Sequence, residues 1–483
     1  MPAAPDRVRP SARLDERAWS AAHDELIENL RALVRIPSVN PPDPANPGGE
    51  LEAARWIAGS LAQAGVMPEV IEPIPGRGSV VARLHGDGTG GEPLLLLSHL
   101  DVVPAPPAGW THDPFGGEVA DGYVYGRGTV DMKDLVAMEL QVVRLLAAEA
   151  RAAGRDPASD PIPGLRRDVL FACTADEEAG GLDGVGWLVE HRPETLRAAG
   201  ALNESGAVSV QVGGRRLYPI QVAEKGIANY RITIHGTGGH GSMPRAENPE
   251  VLAAEAIRRL AEPGAPTVTP LMRAFLDGAA DATAASDPGA ARLLRSLGRG
   301  DERLLDEAAA AGCSPYLVRV IRALVRDTIS PNIVHAGLKF NVIPGDAVIE
   351  IDCRPLPGTS EADMRDQVIE RLGPDLASRA TIELQVSGAG IEAPVDSDLY
   401  AVLASAVATA DPDGVPLPVM APFGTDAKLL LPLGVPTYGF SPIRHEFEEG
   451  YLERWHGIDE RVSIEGLQWG LPVLYDAVRR FCG

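Results

Sequence analysis

The stretch LLLLSHLDVVP (94–104), followed at 125–134 by YGRGTVDMKD, decides the reading of this chain. Leu94 to Leu97 form an apolar run too short for a helix, and they read as a buried strand. His99 and Asp101 stand two residues apart at its C-terminal end, and residues at that spacing in a strand point to one face. An imidazole and a carboxylate therefore leave the sheet together, at the edge where open α/β sheets place their ligands. Gly126 and Gly128 then mark a turn, Asp131 adds a second acid, and an apolar helical run begins. The pattern is half of a metal site.

The other half lies further along. After the helix expected over 134–150 and a surface loop over 151–167, a strand over 168–173 ends in TADEEAGG. Glu177 and Glu178 taken alone read as acids capping the helix that follows. Adjacent acids at a strand end also point in different directions, so one can bind a metal while the other meets a water. A further strand-like run ends in LNESGA and brings Glu204 to the same edge. One histidine and several carboxylates from separate strand ends suit zinc or a harder divalent cation. A shared carboxylate could bridge two ions roughly 3.5–4 Å apart, the geometry of two-metal hydrolysis.

Around this core the chain keeps a βαβ rhythm. Helices are expected over 14–34 and 50–64, separated by the breaker IPSVNPPDPANPGG, and strands over 69–71 and 80–84. The character changes near Glu224. Tyr230, Ile232 and Ile234 alternate as in a strand with one solvated face. A helix over 249–260, a long helical insertion over 266–326, strands over 337–342 and 347–353 joined by IPGD, a helix over 361–372 and a strand over 381–386 follow in βαββαβ order. The reading is a first domain of residues 1–223 and 389–483, interrupted by an α+β two-layer domain of residues 224–388 that carries the insertion.

Composition bounds the function. A chain of 483 residues is too long for one ordinary core. With 45% apolar and 23% charged residues it is a globular protein, and a formal net charge of −23 argues against a nucleic-acid partner. Cys173, Cys313, Cys353 and Cys482 form no CxxC pair, so neither a zinc knuckle nor a disulfide framework is expected. The first residues contain no apolar signal core and no run is long enough to span a bilayer, so a cytoplasmic protein without a membrane partner is expected.

The segments SHLDVVP, GRGTVDMKD, TADEEAGG, LNESGA, GTGGHGSMP and WHGIDER together resemble the M20 metallopeptidase family of carboxypeptidases, aminoacylases, dipeptidases and succinyl-diaminopimelate desuccinylases. The resemblance runs over nearly the whole chain, in order. It implies a zinc-peptidase-like α/β catalytic domain with a mixed, mostly parallel sheet flanked by helices, plus a ferredoxin-like inserted lid that makes a homodimer. It implies two Zn²⁺ ions, with Co²⁺ or Mn²⁺ as substitutes. His99, Asp131 and Glu204 would hold one ion, and Asp131, Glu178 and His456 the other, with a cis peptide after Asp131. Asp101 would orient the His99 ring and Glu177 would act as general base. His240 would stabilise the oxyanion, often from the partner subunit. Asn341 and Arg354 would hold the carbonyl and carboxylate of the substrate, and Gly424, Thr425 and Asp426 would form a substrate-pocket loop. His445 competes with His456 for the last ligand position, and HGIDER matches the family pattern better.

Three features depart from the family. Glu204 stands where carboxypeptidase-type members tend to carry Asp, which leans towards aminoacylase-like or desuccinylase-like relatives. Asp134 replaces a usual glycine, and the insertion over 266–326 is expected to reshape the pocket entrance or the dimer contact. The leading expectation is a two-zinc amidohydrolase acting on an N-acyl amino acid or short peptide with a free carboxylate. A dipeptidase or aminopeptidase would need an acid for a free amino group. A silent metal-stabilised scaffold would have no need for Glu177.

Overall fold

The computed structural model describes residues 14–40, 49–301, 303–310, 315–445 and 454–483; most of the proline-rich breaker and Cys313 lie outside them. The centre of the molecule is a mixed sheet in which the strand Leu94–His99 is buried at every position. It pairs in parallel with Val169–Thr174 on one side and Gly200–Asn203 on the other, with His99 opposite Thr174. Arg77–Leu84 joins antiparallel to Val169–Thr174, which makes the sheet mixed.

The run of four leucines is explained by burial on both faces. Leu94 and Leu96 pack in the core that contains Leu135, Val136 and Leu140 of the helix Lys133–Ala152, whereas Leu95 and Leu97 pack with Val185, Leu188 and Leu430. Full burial of each leucine contributes about 1.5–3 kcal/mol. Lys133–Ala152 is buried almost all round and stops at Ala153 and Gly154, the latter at φ +72°, where only glycine is unstrained.

A second sheet is antiparallel, in the order Thr328–Ala336, Asp346–Arg354, Ile227–His235 and Ala380–Gly388. Alternate residues Tyr230, Ile232 and Ile234 face the helices Pro249–Leu260 and Glu361–Ala377 in a separate core. Ser360 and Asp363 close a capping box at the start of the second helix. The chain leaves the large sheet after the strand Arg215–Glu224, crosses Lys225 and Gly226, and returns at Ile391–Glu392, which pairs with Ala223 and Glu224.

Two expectations need correction. The strand expected over 337–342 is instead Thr328–Ala336, and the two-residue strand Val342–Ile343 follows a turn. Pro331 hides this strand in the sequence; it is tolerated because the strand is an edge and its register shifts between Pro331 and Ile333. Gly337 at φ +68° opens the turn, whose Leu338 and Phe340 are fully exposed. The helical insertion, expected to bear on the inserted domain, packs on the large sheet. Leu276, Ala279, Ala280, Leu294 and Ile321 share a core with Leu217 and Leu417 of that sheet. The helix Pro270–Thr283 lies so close that a Cβ on Gly278 would sit 2.6 Å from Leu417 Cδ2. Among the described residues no helix is long and apolar enough to cross a membrane.

Candidate metal centre

His99 ends its strand buried, and its Nδ1 lies 3.0 Å from the main-chain oxygen of Asp101. A carbonyl only accepts, so Nδ1 carries a hydrogen, and Nε2 is the nitrogen turned towards the acids. That nitrogen lies 3.1 Å from Asp131 Oδ1 and 3.8 Å from Glu204 Oε1. The other oxygen of Asp131, Oδ2, lies 3.2 Å from His456 Nε2, which is 3.3 Å from Glu178 Oε2. In each set, His99–Asp131–Glu204 and Asp131–Glu178–His456, the three candidate ligand atoms lie within 4.8 Å of one another. The Asp131–Met132 peptide is cis.

The sequence positions these groups by local rules. Glu204 follows the short strand Gly200–Asn203, and Glu177 and Glu178 form one 3₁₀ turn after Val169–Thr174. Asp176, which precedes the turn, sits at φ +77°, a left-handed conformation that aspartate tolerates better than most residues. Gly180 caps the turn at φ +112°, and at the next residue, Gly181 (φ +72°), a Cβ would lie 2.2 Å from Asp426 Oδ1. Asp134 lies in the first turn of a regular helix, where the helix dipole favours an acid.

The electrostatics are those of an acid cluster facing two imidazoles. Burial and the charge of Asp131 push the Glu204 carboxyl well above the usual range, and burial raises Glu177 and Glu178. Burial opposes ionisation of Asp131, but hydrogen bonds from His456 and His99 outweigh it and hold this carboxyl low. Burial works against a charged His99 ring, yet its acidic partners raise its pKa well above the ordinary value. Hydrogen bonds to Asp131 and Glu178 push His456 up to about 10. Among the described residues no lysine or arginine pairs with Asp131, Glu178 or Glu204, and Glu178 Oε1 is buried without a partner. Such acids are costly without a counter-charge. Three carboxylates, two histidines and an orphaned carboxylate oxygen fit divalent cations.

In the inserted domain His240 and Asn341 come together, while Arg354 stands at the far end of the strand Asp346–Arg354. Gly239–His240 pairs with Val342–Ile343, and Gly241 N–H donates to the Asn341 carbonyl at 2.9 Å. His240 is exposed, with its Nδ1 accepting from the Ser242 hydroxyl at 2.8 Å. Arg354 ends its strand and donates through Nε to Asp352 at 2.9 Å, an ion pair within the strand. None of the three forms a hydrogen bond or ion pair with the five clustered side chains. Thr425, expected in a loop with donors for substrate, gives its N–H and hydroxyl to Glu224 at 2.9 and 2.5 Å. Gly424 precedes it on the same loop. Asp426 accepts from the Thr174 hydroxyl at 3.2 Å. His445 lies buried beside Ser209 and belongs to neither set.

Several residues that build the centre escaped the sequence reading. Glu460, inside the quoted WHGIDER, accepts from Val130 N–H at 2.8 Å and Asp131 N–H at 3.3 Å and pairs with Arg127. Glu224 fixes the Thr425 loop, and Asn40, Arg77 and Asp176 stand behind the Glu177 turn. Their only sequence signal is a polar residue beside a motif. Asp101 lies against Nδ1 of the His99 ring with its carbonyl at 3.0 Å and its carboxylate at 3.4 Å, and the carboxylate also accepts from the main-chain N–H groups of Glu177 and Glu178.

A mixed, helix-flanked sheet whose strand ends bring two carboxylate–imidazole sets onto one shared acid defines a metallohydrolase. The model of peptidase family M20/M25/M40 matches residues 95–480, and the chain belongs to this family. It is 27% identical over 473 residues to N-fatty-acyl-amino acid synthase/hydrolase PM20D1 of Xenopus tropicalis, covering 92% of this chain and 83% of that one. It is 35% identical over 226 residues to the succinyl-diaminopimelate desuccinylase of Methylorubrum extorquens (strain PA1), covering 45% of this chain and 52% of that one. The crystal structure of human carnosine dipeptidase 1 superposes with a TM-score of 0.67 at 16% identity, over 96% of this chain and 98% of that one.

Proposed function

We propose that this hydrolase cleaves the amide bond of an N-acyl amino acid, or of a short peptide, that bears a free carboxylate. The observation that carries the reading is the placement of Asp131, with Oδ1 on the His99 side and Oδ2 on the His456 side. Its support is the likeness, along most of the chain, to a relative named for N-fatty-acyl amino acids. His99, Asp131 and Glu204 would hold one zinc ion, and Asp131, Glu178 and His456 the second. When bound, the pair of ions supplies a Lewis acid for the amide carbonyl and lowers the pKa of a water.

The remaining chemistry belongs to the chain. Glu177 Oε accepts a proton as the water oxygen bonds to the amide carbon, and returns it to the nitrogen as the C–N bond breaks. Burial, which pushes its carboxyl upward, suits a group that must take a proton and give it back. Asp101 holds the backbone of Glu177 and Glu178. His240 would donate to the developing oxyanion, and Arg354 and Asn341 would bind the carboxylate and carbonyl of the substrate. The homodimer would form through the small sheet, whose edge strand Thr328–Ala336 and exposed Leu338 and Phe340 offer an unpaired surface. We assign the protein to the cytoplasm.

The test is hydrolysis of a panel of N-acyl amino acids and dipeptides by zinc-loaded protein, with Arg354→Lys alongside. Preference for N-acyl amino acids, with KM raised in the variant, supports the reading. Turnover of dipeptides alone, or an unchanged KM, removes the acyl group or Arg354 from it.

A further inference from the structure

Behind the Glu177–Glu178 turn lies a polar network that the proposed mechanism does not use. Arg77 opens the strand Arg77–Leu84 and keeps its side chain only 13% exposed. Its guanidinium donates to Asp176 Oδ1 at 2.6 Å, to Asn40 Oδ1 at 3.1 Å and to Glu50 Oε1 at 3.4 Å, and Nε lies 3.6 Å from Asp183. Asn40 is buried and gives its amide hydrogens to Asp101 Oδ2 at 2.8 Å and Asp176 Oδ1 at 3.3 Å. Asp176 N–H in turn donates to Glu50 at 3.0 Å, and Asp176 Oδ2 accepts from Asp183 N–H at 2.9 Å.

We propose that Arg77 and Asn40 are positioning residues for the metal centre, Arg77 acting through Asp176 and Asn40 through Asp101. This rests on the roles assigned above to Glu177 and Glu178. Asp176 is the left-handed residue from which the turn springs, and each of its carboxylate oxygens is engaged by this network. A left-handed non-glycine residue persists only when its surroundings over-determine it. Arg77 supplies that constraint with a planar fork whose donors hold an acid and an amide in one fixed geometry, which the rotating point charge of an ammonium does not reproduce. Among the described residues it is also the cation paired with the buried Asp176 carboxylate, which its removal would leave uncompensated. Asn40 links Asp176 to Asp101, so the atoms that orient the turn and those that accept its N–H groups move as one unit. Arg77 contacts Asp176 directly and reaches Asp101 only through Asn40, so its loss falls first on the set that contains Glu178 and less on His99–Asp131–Glu204.

The test compares wild type with Arg77→Ala by Co²⁺ titration of the metal-stripped full chain, read by visible absorption, and by kcat and KM of the zinc-loaded protein. One of two binding steps should weaken about 10–100-fold while the other changes less, as for loss of an outer partner of a ligand. The kcat should fall by a similar factor with KM little altered, and millimolar guanidinium should restore part of both losses. If Arg77→Ala does not fold, Arg77→Lys serves, with the same selective weakening expected. Unchanged binding and kcat, or equal weakening of both steps without rescue, would overturn the proposal. Wild type that binds two ions yet turns over no N-acyl amino acid would refute the substrate reading alone, since the Co²⁺ steps still report on Arg77.

Discussion

Asp101 accepts the main-chain N–H of Glu178 through Oδ2 at 2.9 Å and that of Glu177 through Oδ1 at 3.1 Å. One fully buried carboxylate thus sets the backbone from which the proposed base and a proposed ligand both project, while the carbonyl of the same residue accepts from His99 Nδ1. Asp101→Asn would turn a donor towards one of those N–H groups. The expected outcome is a kcat lowered about 10–100-fold, with KM changed less, measured alongside metal content by emission spectrometry. Activity equal to wild type would mean that the turn holds without this acceptor.

The acid cluster makes the stability of the metal-free protein depend on pH with a definite sign. Glu178 and Glu204 are raised by burial, and His99 and His456 by their acidic partners, so the folded state holds protons that the unfolded chain releases. Their contribution to stability is fully present below the ordinary carboxylate value of 4.5 and declines as pH rises towards about 10, where His456 loses its proton. Asp131, shifted down, acts oppositely and only in acid. After chelation Tm should fall as pH rises from about 5 towards about 9, and reloading with zinc should release protons and reverse the slope across the histidine range. A metal-free protein with flat Tm over this interval would contradict the electrostatic account.

The insertion packs on the large sheet, so it should matter to the stability of that sheet. Leu276 is fully buried against Leu217 and Leu417. Leu276→Ala should cost about 2–5 kcal/mol, seen as a lower urea midpoint with unchanged metal stoichiometry. An unaltered midpoint would mean that these helices sit on the sheet without stabilising it.

The parts legible in the sequence were those with a period or a short motif. Four leucines between turn signals gave the central strand, alternation at Tyr230, Ile232 and Ile234 gave the half-buried one, and the acids at strand ends marked the centre. Pro331 hid an edge strand because a proline inside a run argues against one, and the exposed Leu338 and Phe340 drew the boundary too late. The insertion read as helical from its composition, but which sheet it covers is a long-range packing choice with no local signature. Asn40, Arg77, Glu224 and Glu460 escaped for the same reason. Each is an ordinary polar residue until the fold brings it to a partner 37 or more positions away, as for Arg77 and Asn40.

The central claim is that Glu177 moves the proton while the neighbouring acids and imidazoles hold two metal ions. Metal content and kcat of Glu177→Gln, measured on one zinc-loaded sample with the best N-acyl amino acid of the panel, test it most directly. The account predicts two ions per chain, as in wild type, and a kcat lower by about 10²–10⁴-fold, the usual contribution of a general base. Loss of an ion from the variant, or turnover close to wild type, would contradict it.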